Sequence, residues 1–436
     1  MLCSYIFADA NVGKIEVIFL KQRIFDAIEK NKEHIFDCGE KILKNPELGF
    51  KEFKTAELVK KEFEALGIPY TDNLAVTGVK ATLKGRSHKR NICIIGEMDA
   101  VKCFGHPDAD RETGAAHSCG HNAQIASMLA AAYGLKKSGV MGELDGDVTF
   151  FAVPAEEFVE VEYREALKAE GKLTHLCGKQ ELIETGAFHD IDISMMVHSQ
   201  AGVLEPNVYL DGSSLGFVAK TVEFKGKSAH ASMPSEGINA LNAATLALMG
   251  INANRETFKE KDSIRIHPII TNGGDLVNVV PSRVTMEMYV RGTNMDAIND
   301  AARKTDLSIK GGCMAVGAEC EIKDIRGYKP LHQDINLGKV FEDNALLFVK
   351  PENITHGMDM TGSTDMGDLC DIMPCIQPTM GGFAGTAHGK DFAVSNKDTA
   401  YIMPGAIMAA TVVDLLKDGA RKAEKIIEEY NKNKGE

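Results

Sequence analysis

Five segments of the sequence place metal-type ligands at the ends of apolar runs or in glycine-rich stretches. They are Gly96-Glu-Met-Asp99, His117-Ser-Cys-Gly-His121, Pro154-Ala-Glu-Glu157, Val197-His198 and Thr386-Ala-His388. Cys119 and His121 straddle one glycine just ahead of a helical pattern, and Gly120 lets the backbone turn so that both side chains face one point. A helix N-terminus also favours the thiolate, which is the form that binds metal. The competing reading of this pair is a buried free cysteine beside a hydrogen-bonded histidine. Glu156 and Glu157 follow an apolar strand that stops at Pro154. Adjacent carboxylates in extended chain point in different directions, so one can ligate a metal while the other moves a proton. The competing reading there is a solvated acidic turn, although the apolar strand before it leaves the pair at a sheet end.

His198 also sits at a strand end, where a satisfied core histidine is the ordinary alternative. His388 closes the loop Gly381-Gly-Phe-Ala-Gly-Thr-Ala-His388, whose glycines admit close approach of backbone to a ligand. Glu97, Asp99 and His117 are candidates to hold ligand side chains in place, because a ligating histidine usually donates its other N–H to a carboxylate or carbonyl. Phosphate-loop chemistry is excluded, since Gly226-Lys-Ser228 has Thr221 where the first glycine belongs. A G-x-S-x-G nucleophile elbow is also absent.

The elements that must position these residues belong to a long, ordinary globular chain. Its 436 residues exceed one core and suggest two or three domains. Hydrophobic and charged contents of 44% and 25% are typical of globular proteins. A net charge of −13 argues against nucleic acid, which needs a basic face. The ten cysteines are scattered without a CxxC pair, several inside apolar strings, as suits reduced thiols in a cytoplasmic protein. The first twenty residues hold two short apolar runs, too short to span a membrane and without the flanks of a secretory signal.

Two helices are expected between residues 21 and 66, broken at Asn45-Pro-Glu-Leu-Gly49, with the segment before Lys21 read as an extension of no functional weight. Residues 92–95 and 148–153 are apolar on both faces, as in a buried parallel sheet. A loop over 102–120 leads to a helix capped by Asn122 and running to about 137. A charged helix near 161–170 and a strand at 191–197 follow. The alternation implies an α/β domain, a mostly parallel mixed sheet with helices on both faces. After Gly212 the strands alternate apolar and polar residues. The order β-α-β-β-α-β, with helices at 239–252 and 295–304, fits an inserted ferredoxin-like α+β domain. The expected division is 1–213 and 329–436 for a discontinuous catalytic domain, with 214–328 inserted.

Taken together, the motifs resemble the aminoacylase/hippurate-hydrolase superfamily of metallopeptidases, and more closely its amidohydrolase branch. That branch carries His-x-Cys-Gly-His in place of the metal-binding His-x-Asp of the broader family. The resemblance runs from Asn45-Pro-Glu-Leu-Gly-Phe50 to Thr411. Gly96-Glu-Met-Asp-Ala100, Cys119-Gly-His-Asn122, Ala229-His-Ala231, Asn278-Val-Val-Pro281 and Gly362-Ser-Thr-Asp-Met-Gly-Asp368 are similar to the p-aminobenzoyl-glutamate hydrolase type within that branch.

The resemblance implies two divalent metal ions, zinc or manganese, held by Cys119, His121, Glu157, His198 and His388, with Glu156 moving the proton and Asp99 beside the centre. It also implies a homodimer through the inserted domain, in which His230 reaches the other protomer's site and stabilises the oxyanion. Asn278 and Arg291 match positions that hold the substrate carboxylate. Apart from the resemblance, these three read as a surface histidine, a turn asparagine and a strand-end arginine. The implied substrate is a small N-acyl or N-aroyl amino acid, with no nucleic-acid or membrane partner. A dipeptidase or carboxypeptidase, and a non-catalytic or partner-dependent metal-binding subunit, are the alternatives. The chain departs from its relatives at Asp99-Ala-Val-Lys102, where they have Asp-Ala-Leu-Pro, in the loop up to His117 and in the charged stretch between Phe158 and Ile183. The last two are expected to line the substrate entrance and so bear on substrate more than on chemistry.

Overall fold

The computed structural model describes residues 12–434, and the chain divides into two compact units. The first comprises Met1–Gly212, Gln333–Met358 and Leu369–Glu436; the second comprises Ser213–His332 and Asp359–Asp368. The second unit therefore takes in residues 329–332 and 359–368, and Ser213, from the stretches expected to belong to the catalytic domain.

The first unit is built on a six-stranded mixed sheet. Its strands are β1 (Tyr70–Leu74), β2 (Gly78–Leu83), β3 (Asn91–Glu97), β4 (Asp147–Val153), β5 (Ile193–Met195) and the short strand Cys375–Ile376. They lie in the order β1-β2-β4-β3-β5 and then Cys375–Ile376. β3 runs parallel to β4 on one side and β5 on the other, and β5 is parallel to Cys375–Ile376. β1 and β2 form the antiparallel edge. Every residue of β3 and β4 is buried, which explains why their sequences show no alternation.

Helices α1 (Val12–Lys30), α2 (Lys32–Leu43), α3 (Phe53–Leu66) and α4 (His121–Ser138) contribute to this unit's main core, and a shorter helix, α5 (Gly178–Glu184), precedes β5. The first helix begins at Val12, well before Lys21, so the segment read as an extension is in part structural; residues 1–11 lie outside the described residues. Leu20, Ile24 and Ile28 are its buried stripe, and Lys21 pairs with Asp414 at 2.7 Å. A lone turn residue, Asn31, separates α1 from α2 and donates to Ala27 O at 2.7 Å. That one-residue break hides the boundary from a periodicity argument.

The four-stranded antiparallel sheet of the second unit contains β6 (Gly216–Lys225), β7 (Arg265–Asn272), β8 (Arg283–Gly292) and β9 (Glu319–Arg326). Its order is β7-β8-β6-β9, and α6 (Ala240–Ala253) and α7 (Met295–Val316) bury their apolar stripes against it. This is the ferredoxin-like arrangement. α7 runs twelve residues beyond the expected end at 304, up to Gly317 in the left-handed conformation. The chain enters and leaves this unit side by side, because Ser213 and Ser214 pair with His332 and Leu331.

The helix Met403–Leu416 is apolar on nearly every face and packs against α4. A Cβ at Gly405 would stand 2.3 Å from Ser127 O and 2.7 Å from Ala130 Cβ. The two helices thus cross at backbone contact, which places the helix that begins at His121. Gly405→Ala is expected to cost about 1–3 kcal/mol by overpacking. A thermal unfolding scan checks it, and an unchanged Tm would show that the crossing has slack.

Candidate metal centre

All the candidate ligands lie in the first unit, beyond the carboxyl ends of β4, β3 and β5. Sites form at that edge of an open α/β sheet because strands and helix N-termini converge there. Glu97 ends β3 and Asp99 follows it; Glu156 and Glu157 follow β4; His198 follows β5.

Cys119 and His121 flank Gly120, which caps α4 with φ of +83°. A Cβ there would also lie 2.7 Å from Ser199 Cβ, so conformation and space both select glycine. Asn122, expected as the cap, is instead inside the helix and donates to Tyr401 Oη at 3.0 Å.

The His121 ring is oriented through Nδ1, which lies 2.8 Å from Asp99 O and 3.2 Å from Asp99 Oδ1. Its Nε2 lies 3.1 Å from Glu97 Oε2, but off the hydrogen-bond direction, and has no hydrogen-bond partner. The Cys119 sulfur is 3.4 Å from His198 Nε2, while His198 Nδ1 is 2.9 Å from Ser199 O. His388 Nε2 stands 3.2 Å from Glu157 Oε1, a buried oxygen likewise without a hydrogen-bond partner. Three donor groups result: Cys119–His121–His198, Cys119–Glu157–His388 and Glu97–His121–Glu156, each with its ligand atoms within 4.8 Å of one another. The sulfur is common to the first two.

Charge compensation sets the ionisation here. Burial favours the neutral thiol of Cys119, but His198 and His121 outweigh it and hold the group well below its ordinary value. His121 is raised well above the ordinary imidazole, against burial, by the Cys119 sulfur and Glu97. His388 is pushed up to about 11 by its contacts with Cys119 and Glu157. Glu157 is pushed up to about 7 by burial and by the neighbouring sulfur. A soft thiolate, imidazoles, carboxylates and two orphaned buried donor atoms make this set fit divalent cations.

The surrounding residues lie largely beyond the reach of the motif. Lys179 Nζ bonds Glu97 Oε1 at 2.5 Å, Gln124 Nε2 bonds Glu97 Oε2 at 2.8 Å, and all three side chains are buried. Asp99 Oδ2 accepts the Glu157 N–H at 2.8 Å, so one carboxylate holds both a histidine ring and a glutamate backbone. The fully buried Arg164 donates to Glu157 O at 2.5 Å and Leu176 O at 2.7 Å. Glu52 Oε1 accepts the N–H of Ala155, which has φ of +53° at the turn leading to Glu156. His117 is different. Both its ring nitrogens are buried without a hydrogen-bond partner, and burial and His121 push it down to about 3, so it is neutral and supports no ligand by hydrogen bond. Lys179 and Arg164 leave no sequence signal beyond membership of a charged helical stretch.

His230, Asn278 and Arg291 belong to the second unit. His230 bridges to Val279, and the Ala231 N–H donates to Asn278 O at 2.9 Å, which makes the histidine and the asparagine neighbours. His230 Nδ1 accepts the Ser232 N–H at 3.1 Å and lies 2.7 Å from Ser232 Oγ, which leaves Nε2 without a partner in that turn. Arg291 lies over the Phe217 and Tyr289 rings at 5.3 and 5.2 Å and donates to Ser363 Oγ at 2.7 Å.

Residues 93–414 match the sequence profile of peptidase family M20/M25/M40. The chain belongs to this family. It is 28% identical over 393 residues to the Xaa-Arg dipeptidase of Homo sapiens, covering 84% of this chain and 80% of that one. It is 29% identical over 400 residues to one subunit of the p-aminobenzoyl-glutamate hydrolase of Escherichia coli, covering 89% and 77%. The fold matches a Bacillus subtilis structure described as a dinuclear metal binding peptidase of the M20 family, with a TM-score of 0.70, 21% identity and coverage of 89% and 99%. As an M20 member the protein is a hydrolase acting on amide bonds.

Arg164→Met keeps an unbranched apolar stem and removes both donors. The Leu176 carbonyl then loses its partner, at about 1–3 kcal/mol, and the Glu157 carbonyl keeps only the Val159 N–H at 2.8 Å. Lower thermal stability and weaker metal retention under a graded chelator are expected; retention equal to that of the native chain would exclude a role in placing Glu157. Cys119→Ser is expected to lower bound metal per chain in elemental analysis, and unchanged stoichiometry would strike the sulfur from the ligand set.

Proposed function

We propose that this M20 hydrolase cleaves the amide joining an acyl or aroyl group to an amino acid with a free carboxylate. The observation that carries the reading is the arrangement of the adjacent acids. Glu157 faces His388 and shares a donor group with Cys119, whereas Glu156 shares one with Glu97 and His121. Neighbouring carboxylates with separate surroundings can divide the labour of ligand and proton carrier.

Cys119, His121, Glu157, His198 and His388 would hold two divalent cations, zinc or manganese, with the thiolate and imidazoles favouring zinc. When bound, such cations lower the pKa of water towards ~7 and polarise the scissile carbonyl. Glu156 accepts the proton of the attacking water on its carboxylate and returns it to the departing nitrogen. Asp99 keeps the His121 ring and the Glu157 backbone in register during that transfer. His230, through Nε2, donates to the oxyanion of the other protomer's substrate in a homodimer formed through the second unit. One such donor is worth roughly 3–4 kcal/mol. Arg291, braced by two rings and Ser363, grips the substrate carboxylate together with Asn278.

The human relative's name supports a second reading, a dipeptidase, whose substrate has a free ammonium on the acyl side. A panel of N-acyl, N-aroyl and dipeptide substrates with zinc or manganese separates the two. Turnover confined to dipeptides would replace the first reading with the second. Glu156→Gln should retain metal and lose turnover by about 10²–10⁴-fold; substantial remaining activity would sink its role. Mixing Glu156→Gln with His230→Ala protomers should restore part of the activity, and no recovery in a verified mixed dimer would count against action in trans.

A further inference from the structure

A second constellation of ligand-type side chains lies apart from the centre, among the helices of the first unit. His34 and Cys38 stand four residues apart on α2, so they share one helix face. Glu62 reaches them from α3. Its Oε2 is 2.7 Å from His34 Nε2, and the Cys38 sulfur is 3.8 Å from the same nitrogen. The three ligand atoms lie within 4.8 Å of one another. Cys38 and Glu62 are buried, while the His34 side chain is 47% exposed, so the group opens to solvent at the histidine.

We propose that His34, Cys38 and Glu62 form a further divalent-cation site of the zinc type, tying α2 to α3. Thiolate, imidazole and carboxylate are the donors zinc accepts, and three protein ligands with a water complete a tetrahedron. Around an ion with ordinary zinc bond lengths, a sulfur and a nitrogen stand roughly 3.5 Å apart, close to the separation present. The nitrogen–oxygen pair has only to open by about half an ångström or more, since it now shares a proton rather than an ion.

The supporting groups are already in position. Tyr133 on α4 donates its hydroxyl to Glu62 Oε2 at 2.7 Å and sets the edge-on packing of the His34 ring, with centroids 5.6 Å apart. Such contacts hold a carboxylate and an imidazole in ligating orientation. The residue after Cys38 ties the site to the rest of the unit, because Gly39 O accepts from Asn122 Nδ2 at 3.4 Å on the helix that starts with His121.

The test is equilibrium dialysis of the full chain against zinc at fixed free concentration, followed by elemental analysis. Native protein is compared with His34→Ala and Cys38→Ser. The expected result is one zinc equivalent per chain fewer in each variant, with amide hydrolysis retained. A second measurement uses cobalt(II) on the Cys119→Ser background, where the thiolate-to-cobalt absorption that remains should vanish when Cys38→Ser is added. Because His34 is solvent-exposed, His34→Ala reads the site even if Cys38→Ser folds poorly. Equal zinc stoichiometry in native and His34→Ala protein, or a cobalt–thiolate band indifferent to Cys38, would overturn the proposal.

Discussion

Glu97 and Asp99 are carboxylates with no exposed surface, and everything around the centre is arranged to let them stay charged. A buried anion is costly unless it is paired and hydrogen-bonded. Burial works against ionisation of Glu97, but Lys179 and His121 face it and hold its carboxyl below the ordinary value. Burial likewise opposes ionisation of Asp99, and the hydrogen bond with His121 overcomes it. From this follows the placement of α4, whose first residue is that histidine, and of α5, which carries the lysine. α5 must come very near the strand end to deliver it. A Cβ at Gly178 would fall 1.7 Å from Pro154 O, so only glycine permits the approach.

The same constraint explains what is and is not visible in the sequence. β3 and β4 are legible because strands buried on both faces carry near-continuous apolar runs, Ile92–Ile95 in one and Phe150–Val153 in the other. The antiparallel strands of the second unit are legible from alternation. Ligand types are also plain, Glu156, Glu157 and His198 after strands of the sheet and Cys119 and His121 at the start of α4. Less visible are residues whose role is compensation. Lys179, Arg164 and Gln124 look like ordinary polar side chains, and only the fold shows that they are buried against carboxylates and carbonyls. Boundaries fail where a single residue makes the break, as at Asn31, or where tertiary packing prolongs a helix, as in α7.

His117 shows the opposite failure. It stands in the densest part of the motif, yet its environment makes it a neutral ring without a hydrogen-bond partner. Proximity in sequence to Cys119 and His121 implies a supporting role that Asp99 fills instead, from a different segment.

The paired strand segments at Ser213–Ser214 and Leu331–His332 bear on how such a chain assembles. Closing a flexible loop costs entropy that grows only with the logarithm of its length. Two neighbouring strands already bring the ends of the second unit together, so the interruption between β5 and the C-terminal strands of the first unit presents a short span whatever its contour length. Loops of the ferredoxin-like unit away from His230 and Asn278 can therefore lengthen at small entropic cost to that closure.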